Sequence, residues 1–317
     1  MNRCFVGVDT SNYTTSVGLV DENGRVLANV RRLLPVGEGK CGLRQSDAVF
    51  AHIKQLPAVF DEAAKALGDR IPAAVGCSVK PRNAEGSYMP CFLCGEAAAH
   101  AFAAARGLPV YAYSHQCGHL AAALLSQNAW EITKEMFLAF HVSGGTTEIL
   151  KCTSGPCGFD TEVVGGTMDL SAGQAIDRAG VMMGMPFPSG RMLEAAANEF
   201  SGKLPYAKIS TDGLRCNFSG LQNLSEKLYR ESKSQEMTSA FVLDFIGRTL
   251  LETARAARER FGSLPILFGG GVMSNQRLRA VLAPLGKTYF AEPALAADNA
   301  VGIAELARRT YQQREEA

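Results

Sequence analysis

His115-Gln116-Cys117-Gly118-His119 sets two imidazoles four residues apart. On a helix that spacing puts both rings on one face, close enough to share a single ion. They are two of five histidines in the chain and follow the strand-like run Val110–Tyr113, where α/β folds open their clefts. Two helical histidines without a third ligand are more often surface or N-terminal residues. The candidate third ligand is Asp298, which opens the last helical segment in Ala297-Asp298-Asn299-Ala300; its plain alternative is a helix cap. Two imidazoles and a carboxylate suit one divalent ion, iron(II) or zinc, and leave positions open for substrate. Cys91-Phe92-Leu93-Cys94 is a single CxxC with no second pair, read as two half-buried thiols at the start of an Ala-rich helix.

Small residues gather at four other places. Phe5–Val8 runs into Asp9-Thr10-Ser11-Asn12-Tyr13-Thr14-Thr15-Ser16 and leaves through Val17–Val20. Phe137–Val142 runs into Ser143-Gly144-Gly145-Thr146-Thr147 and leaves through Ile149-Leu150. Small hydroxylated residues at a hairpin tip let N–H groups and hydroxyls converge on an anion, although a lone turn of this kind usually binds nothing. Two of them, one opening each half, suggest a duplicated domain holding a nucleotide. Gly269-Gly270-Gly271 follows the strand Pro265–Phe268 and precedes Asn275, so a ligand can lie against that backbone. Asp169-Leu170-Ser171-Ala172-Gly173-Gln174-Ala175-Ile176-Asp177 opens a helix with a glycine where something approaches and an acid one turn later; read singly it is a capped helix.

The elements that must position these residues alternate. In residues 1–132, strands near 5–8, 17–20 and 26–30 precede a helix over 47–66, a strand over 73–79, a helix over 95–105, the strand 110–113 and a helix over 115–125. In residues 133–317, strands near 137–142, 147–152 and 161–164 precede helices near 172–183, 192–200, 220–231 and 239–260. The strand 265–268, a helix from Asn275, the strand 287–291 and a last helix over 298–312 complete it. Mixed sheets flanked by helices, repeated twice, define a duplicated α/β architecture with a cleft between halves. At 317 residues the chain is long enough for two cores, and 47% hydrophobic content with a net charge of +1 describes a soluble globular protein. A nucleic-acid partner then has to meet a local basic patch. Arg31, Arg32, Lys40 and Arg44, with Lys80 and Arg82, could meet phosphates or form a solvated face. No run of eighteen apolar residues predicts a membrane span, and Met-Asn-Arg-Cys passes straight into a strand with no signal-peptide pattern. Nine irregularly spaced cysteines favour reduced thiols in a cytoplasm.

In order and spacing these segments resemble the glycoprotease-like family of tRNA threonylcarbamoyladenosine synthases, called TsaD in bacteria, within the actin/sugar-kinase/Hsp70-like ATPase superfamily. The match runs nearly end to end. It includes Gly7-Val8-Asp9-Thr10-Ser11, the His115/His119 pair, Val142-Ser143-Gly144-Gly145 and Ala172-Gly173-Gln174-Ala175-Ile176-Asp177. It continues through Pro186-Phe187-Pro188-Ser189-Gly190, Asn217-Phe218-Ser219-Gly220-Leu221, Gly270-Gly271-Val272 with Asn275, and Asp298-Asn299-Ala300. The resemblance implies an RNase H-like duplicated fold and a metal held by His115, His119 and Asp298. It implies an adenylate held by Ser143 to Thr147, Gly173, Asp177 and Asn275, beside Asp169, Gly270 and Gly271. The activity it implies is transfer of a threonylcarbamoyl group from its mixed anhydride with AMP to an adenosine beside a tRNA anticodon, within a complex of partner subunits. Asp9 and Tyr13, on the first hairpin, are the candidate catalytic side chains.

Three departures qualify the expectation. The family's acidic continuation of the first motif is replaced by Asn12-Tyr13-Thr14, and a phenol is a poor base at neutral pH. The second hairpin carries Thr146 where the family has histidine. A Gly-Pro-Gly-Leu turn is replaced by Lys80-Pro81-Arg82-Asn83-Ala84-Glu85-Gly86. A divergent paralogue is the alternative: a carbamoyltransferase on another acceptor, or a non-catalytic nucleotide-binding subunit. A metalloprotease reading lacks the HExxH general base.

Overall fold

A computed structural model describes residues 2–11, 13–35, 43–156 and 158–316. The chain runs β1 (Arg3–Ser11), β2 (Thr14–Asp21), β3 (Val26–Leu33), α1 (Gln45–Ala64), β4 (Ile71–Lys80), α2 (Phe92–Ala104), β5 (Val110–Ser114) and α3 (His115–Ser126). It continues with β6 (Phe137–Val142), β7 (Thr147–Gly155), β8 (Gly158–Thr167), α4 (Ala172–Met182), α5 (Gly190–Asn198), β9 (Ser210–Asp212) and β10 (Arg215–Asn217). The last elements are α6 (Ser219–Ser232), α7 (Gln235–Phe261), β11 (Ile266–Gly269), α8 (Gln276–Leu282), β12 (Thr288–Phe290), α9 (Pro293–Ala296) and α10 (Val301–Glu316). The α/β class expected from the sequence is the one observed, with two mixed sheets.

Contacts group the chain into two compact units, the first comprising residues up to Trp130 with Ser154–Asp160 and everything from Ala297, the second Glu131–Thr153 with Thr161–Ala296. The first unit carries a five-stranded sheet in the order β3-β2-β1-β4-β5. β1, β2 and β3 are antiparallel neighbours, while β1, β4 and β5 run parallel. Alternation along the strands gives each face its own job. Val6, Val8, Val17, Leu19, Val75 and Cys77 enter one core with residues of α1 and α2.

The opposite face has a gap in its side chains at mid-sheet. Gly7 pairs with Gly18 on β2 and with Gly76 on β4, so three glycines form a row across the sheet. A Cβ added at these positions would lie 2.2 Å from Ala300 O, 2.5 Å from Val301 N and 2.7 Å from Ile303 O respectively. The row is therefore a flat seat for the start of α10, closer than any side chain permits.

The second unit orders its seven strands β12-β11-β6-β7-β8-β10-β9. Its core gathers Phe140, Ile149, Phe268 and Leu278 with the inward face of α7, whose buried residues run from Thr238 to Ala257. No helix among the described residues is long and apolar enough to cross a membrane.

Two local expectations change. The described residues of the first hairpin are paired strand: β1 continues to Ser11 and β2 starts at Thr14, with Asp9 opposite Ser16 and Thr10 opposite Thr15. Its backbone pairs into the sheet rather than opening round an anion. The last helix begins at Val301, not at Asp298, because the Asn299 side chain takes the Val301 N–H and caps it. Strands β9 and β10, at three residues each, and the four-residue α9 carry too little periodicity to be read from sequence.

Candidate metal centre and ligand turns

β5 passes into α3 with no intervening loop, and Ser114 caps the helix by accepting the Cys117 N–H at 3.2 Å. His115 is thereby fixed at the C-terminal end of β5, where the parallel strands β1 and β4 deliver Asp9 and Ser78. One turn on, His119 returns to the same helix face. The two Nε2 atoms lie 2.9 Å apart. Asp298 Oδ1 stands 3.3 Å from His119 Nε2 and 3.7 Å from His115 Nε2. One ligand atom from each of these residues falls within 4.8 Å of the others. A tetrahedral ion with bonds of about 2.0–2.2 Å spaces its ligand atoms by roughly 3.3 Å, so the observed separations match.

The charges also match. Asp9 is fully buried; its Oδ1 accepts from Ser78 Oγ and, at 2.9 Å, from His115 Nδ1. Its Oδ2 is buried with no hydrogen-bond partner among the described residues. Burial works against the Asp9 carboxylate, yet the His115 ring and the Ser78 hydroxyl outweigh it and hold its pKa below the ordinary value. Burial likewise lowers His115, but the Asp9 charge and the Asp298 carboxylate raise it overall to about 10. Asp298, desolvated, is still held well below the usual carboxylate range by the two histidines. Nε2 of His115 and of His119 with Oδ1 of Asp298 make a mixed nitrogen and oxygen donor set, and a divalent cation fits it in place of the proton that the carboxylates otherwise hold on His115.

Asp298 reaches this cluster because it is not spent as a helix cap. Asn299 does that work, α10 is seated on the glycine row, and Thr14 Oγ1 donates to Asp298 Oδ2 at 3.3 Å. Ser78 and Thr14 were not singled out from sequence. The available signal was a lone hydroxyl in the apolar run Ala73–Val79, which parallel pairing with β1 brings beside Asp9. Tyr13 is partly exposed and its backbone carbonyl accepts the Leu34 N–H. Cys91 and Cys94, expected half-buried, are both buried, and burial pushes the Cys91 thiol up to about 11, away from the thiolate a metal needs.

The turns of the second unit are built differently. Ser143 closes the 143–147 turn by accepting the Thr146 N–H at 3.1 Å. Ser171 donates to Gly144 O and, with Gln174, forms a capping box at the start of α4. Thr147 Oγ1 accepts the Ala172 N–H. Gly173 is forced by packing, since a Cβ there would lie 2.5 Å from Gly144 Cα. The Asp169 carboxylate accepts the Phe218 and Ser219 N–H groups and so caps α6. Asp177 accepts the Ser189 N–H, and Asn275 caps α8 through the Leu278 N–H. Gly144, Gly145 and Gly271, by contrast, have nothing within 4 Å of an added Cβ, while Gly270 at φ +92° presses on Val142 O. The side chains hold the turns; the open surface is backbone.

Of the basic candidates, Arg31, Arg32 and Arg44 are exposed, with Arg32 3.4 Å from Glu62. Lys40 lies outside the described residues, as does Asn12 of the first hairpin.

The family model for TsaD, tRNA N6-adenosine threonylcarbamoyltransferase, matches residues 42–305. Proteins with that name from two strains of Streptococcus suis are 30% identical over 294 residues, covering 89% of this chain and 84% of theirs. Among solved structures, HypF in its phosphate- and nucleotide-bound form matches at a TM-score of 0.59 and 13% identity over 97% of this chain. The chain spans about half of the length of that protein, 55%. A ROK family glucokinase from Streptomyces griseus matches at 0.50 and 12% identity, covering 96% of this chain and 99% of that one. These likenesses show that the chain shares the fold of those proteins. With the family model spanning both units and both relatives agreeing, the chain belongs to the TsaD family, the transferases named tRNA N6-adenosine threonylcarbamoyltransferases.

Proposed function

We propose that this protein, acting in the cytoplasm, transfers a threonylcarbamoyl group from threonylcarbamoyl-AMP to N6 of the adenosine beside a tRNA anticodon. The convergence of His115, His119 and Asp298 supports this reading most, because these three side chains could hold one metal ion and belong to the motifs on which the family resemblance rests. His115, His119 and Asp298 would hold one divalent ion, iron or zinc, which would supply Lewis-acid polarisation of the carbonyl and a hold on the threonyl carboxylate. The backbone N–H groups near Gly144, Gly145 and Gly271 receive the AMP phosphate and stabilise it as it leaves. The adenosine arrives unstacked, and exposed Arg31 and Arg44 meet tRNA phosphates, aided by partner subunits of a threonylcarbamoylation complex.

The test is direct. Protein reloaded with iron or zinc is given threonylcarbamoyl-adenylate and unmodified tRNA, with and without partner proteins, and the tRNA nucleosides are analysed. Formation of the modified adenosine is expected; none under any condition sinks the reading. Tyr13 in place of the family's acid, with the altered loop Lys80–Gly86, favours a second reading, carbamoyl transfer to another acceptor. Adenylate turnover with unmodified tRNA would establish that one, and nucleotide binding without turnover would leave a non-catalytic subunit.

A further inference from the structure

The β1–β2 hairpin is one of the places where this chain departs from the family pattern, and two of its polar side chains, Asp9 and Thr14, contact the metal-ligand residues. Asp9 is fully buried, and its Oδ1 lies 2.9 Å from the His115 nitrogen that points away from His119 and Asp298. Ser78 Oγ donates to the same oxygen and fixes it from β4. Thr14, one strand over, donates to the oxygen of Asp298 that is not turned toward the histidines. Each contact addresses the unused atom of a ligand: Nδ1 of His115, whose Nε2 faces the cluster, and Oδ2 of Asp298, whose Oδ1 does.

We propose that this hairpin serves as the positioning frame of the metal centre, with Asp9 orienting His115 and Thr14 orienting Asp298. The inference rests on the metal reading above and deepens it. A carboxylate accepting Nδ1–H selects the tautomer that leaves Nε2 free for the ion and makes that nitrogen a better donor. A hydroxyl on the second oxygen of Asp298 stops the carboxylate from rotating. Asp9 is consequently a positioning residue and not a base in contact with substrate, and the Thr14 hydroxyl has a defined task at a position where the family carries an acid.

The experiment is cobalt(II) titration of the full chain against a chelator, read by d–d absorption, with the His115 Nδ1–H resonance followed in protein carrying 15N-labelled histidine. The wild type binds one cobalt ion and shows a hydrogen-bonded Nδ1–H signal. Asp9→Asn weakens cobalt binding by about 10–100-fold, alters the absorption bands and removes that signal. Thr14→Val weakens binding by a smaller factor and leaves the imidazole signal in place; Thr14→Ser restores wild-type binding. Should Asp9→Asn not fold, Ser78→Ala takes its place, with weaker binding and a shifted Nδ1–H signal expected. Wild-type affinity and spectra in the folded Asp9 or Ser78 variant together with Thr14→Val overturn the proposal while leaving the metal reading intact. A wild-type protein that takes up no cobalt, iron or zinc fails both.

Discussion

In the first unit polar side chains converge on one another: His115, His119 and Asp298 bring ligand atoms within 4.8 Å, and Asp9 stands behind them fully buried. In the second unit the polar side chains are consumed by structure, with Ser143, Thr147, Ser171, Asp169, Asp177 and Asn275 all bound to main-chain groups. There the free surface is the backbone at Gly144, Gly145 and Gly271. The contrast matches what the two proposed ligands would require. A small cation is satisfied by a few side-chain donors at fixed distances. A phosphate is satisfied by N–H groups, which need room and rigidity rather than side chains. Substitutions should therefore behave oppositely in the two places: loss of a side chain disables the first, and gain of one disables the second.

The largest effect tests the first half of that contrast. His115→Ala should take the metal content of purified protein from one ion per chain to none, measured by elemental analysis; unchanged content refutes the assignment. Next comes the seat of α10. Gly18→Val drives side-chain atoms into the Val301 backbone and should cost about 3 kcal/mol or more, lowering the melting temperature by roughly 6–12 °C in a thermal scan. A smaller, sharper pair lies in the second unit. Gly173→Ala has no room and should destabilise by about 1–3 kcal/mol in denaturant. Gly144→Ala should leave stability within about 0.5 kcal/mol yet weaken AMP binding about tenfold in a calorimetric titration. If Gly144→Ala binds AMP normally, the backbone-cradle half of the contrast fails.

The smallest effect separates a cap from a ligand. Asp169→Ala should cost about 1–2 kcal/mol through loss of the α6 cap. Burial tends to raise Asp169, but the hydrogen bonds from Ser219, Phe218 and Leu170 leave it below its ordinary pKa. A carboxylate depressed on folding stabilises above its unfolded pKa, and that contribution fades as the pH falls through the lower folded value. The stability gap between wild type and Asp169→Ala should accordingly be constant near neutrality and shrink in acid below about pH 4. A gap that widens in acid would contradict the capping role.

The two regions also differed in how far they could be read from sequence. The His115/His119 spacing and the β–α alternation around it were legible because helical and strand periods are local. Asp298 was legible as a candidate from its helix-start context, but its release from capping depends on Asn299, a contest between neighbours that sequence does not decide. The row of Gly7, Gly18 and Gly76 was invisible as a unit, since it exists only once three strands are in register. Ser78 and Thr14 were missed for the same reason: each acquires its partner through long-range pairing. In the second unit the motif residues around Ser143, Gly173 and Asn275 were found, but a strongly patterned hydroxyl or carboxylate looks the same in sequence whether it binds a ligand or caps a helix.

X-ray absorption fine structure at the metal edge of iron- or zinc-loaded protein reads the ligands of the ion themselves. A centre built on His115, His119 and Asp298 should show nitrogen and oxygen neighbours only, at about 2.0–2.2 Å, with the outer scattering of two imidazoles that falls to one in His119→Ala. A sulfur scatterer near 2.3 Å, as the Cys91/Cys94 pair would supply, or an imidazole signal unchanged in His119→Ala would contradict it.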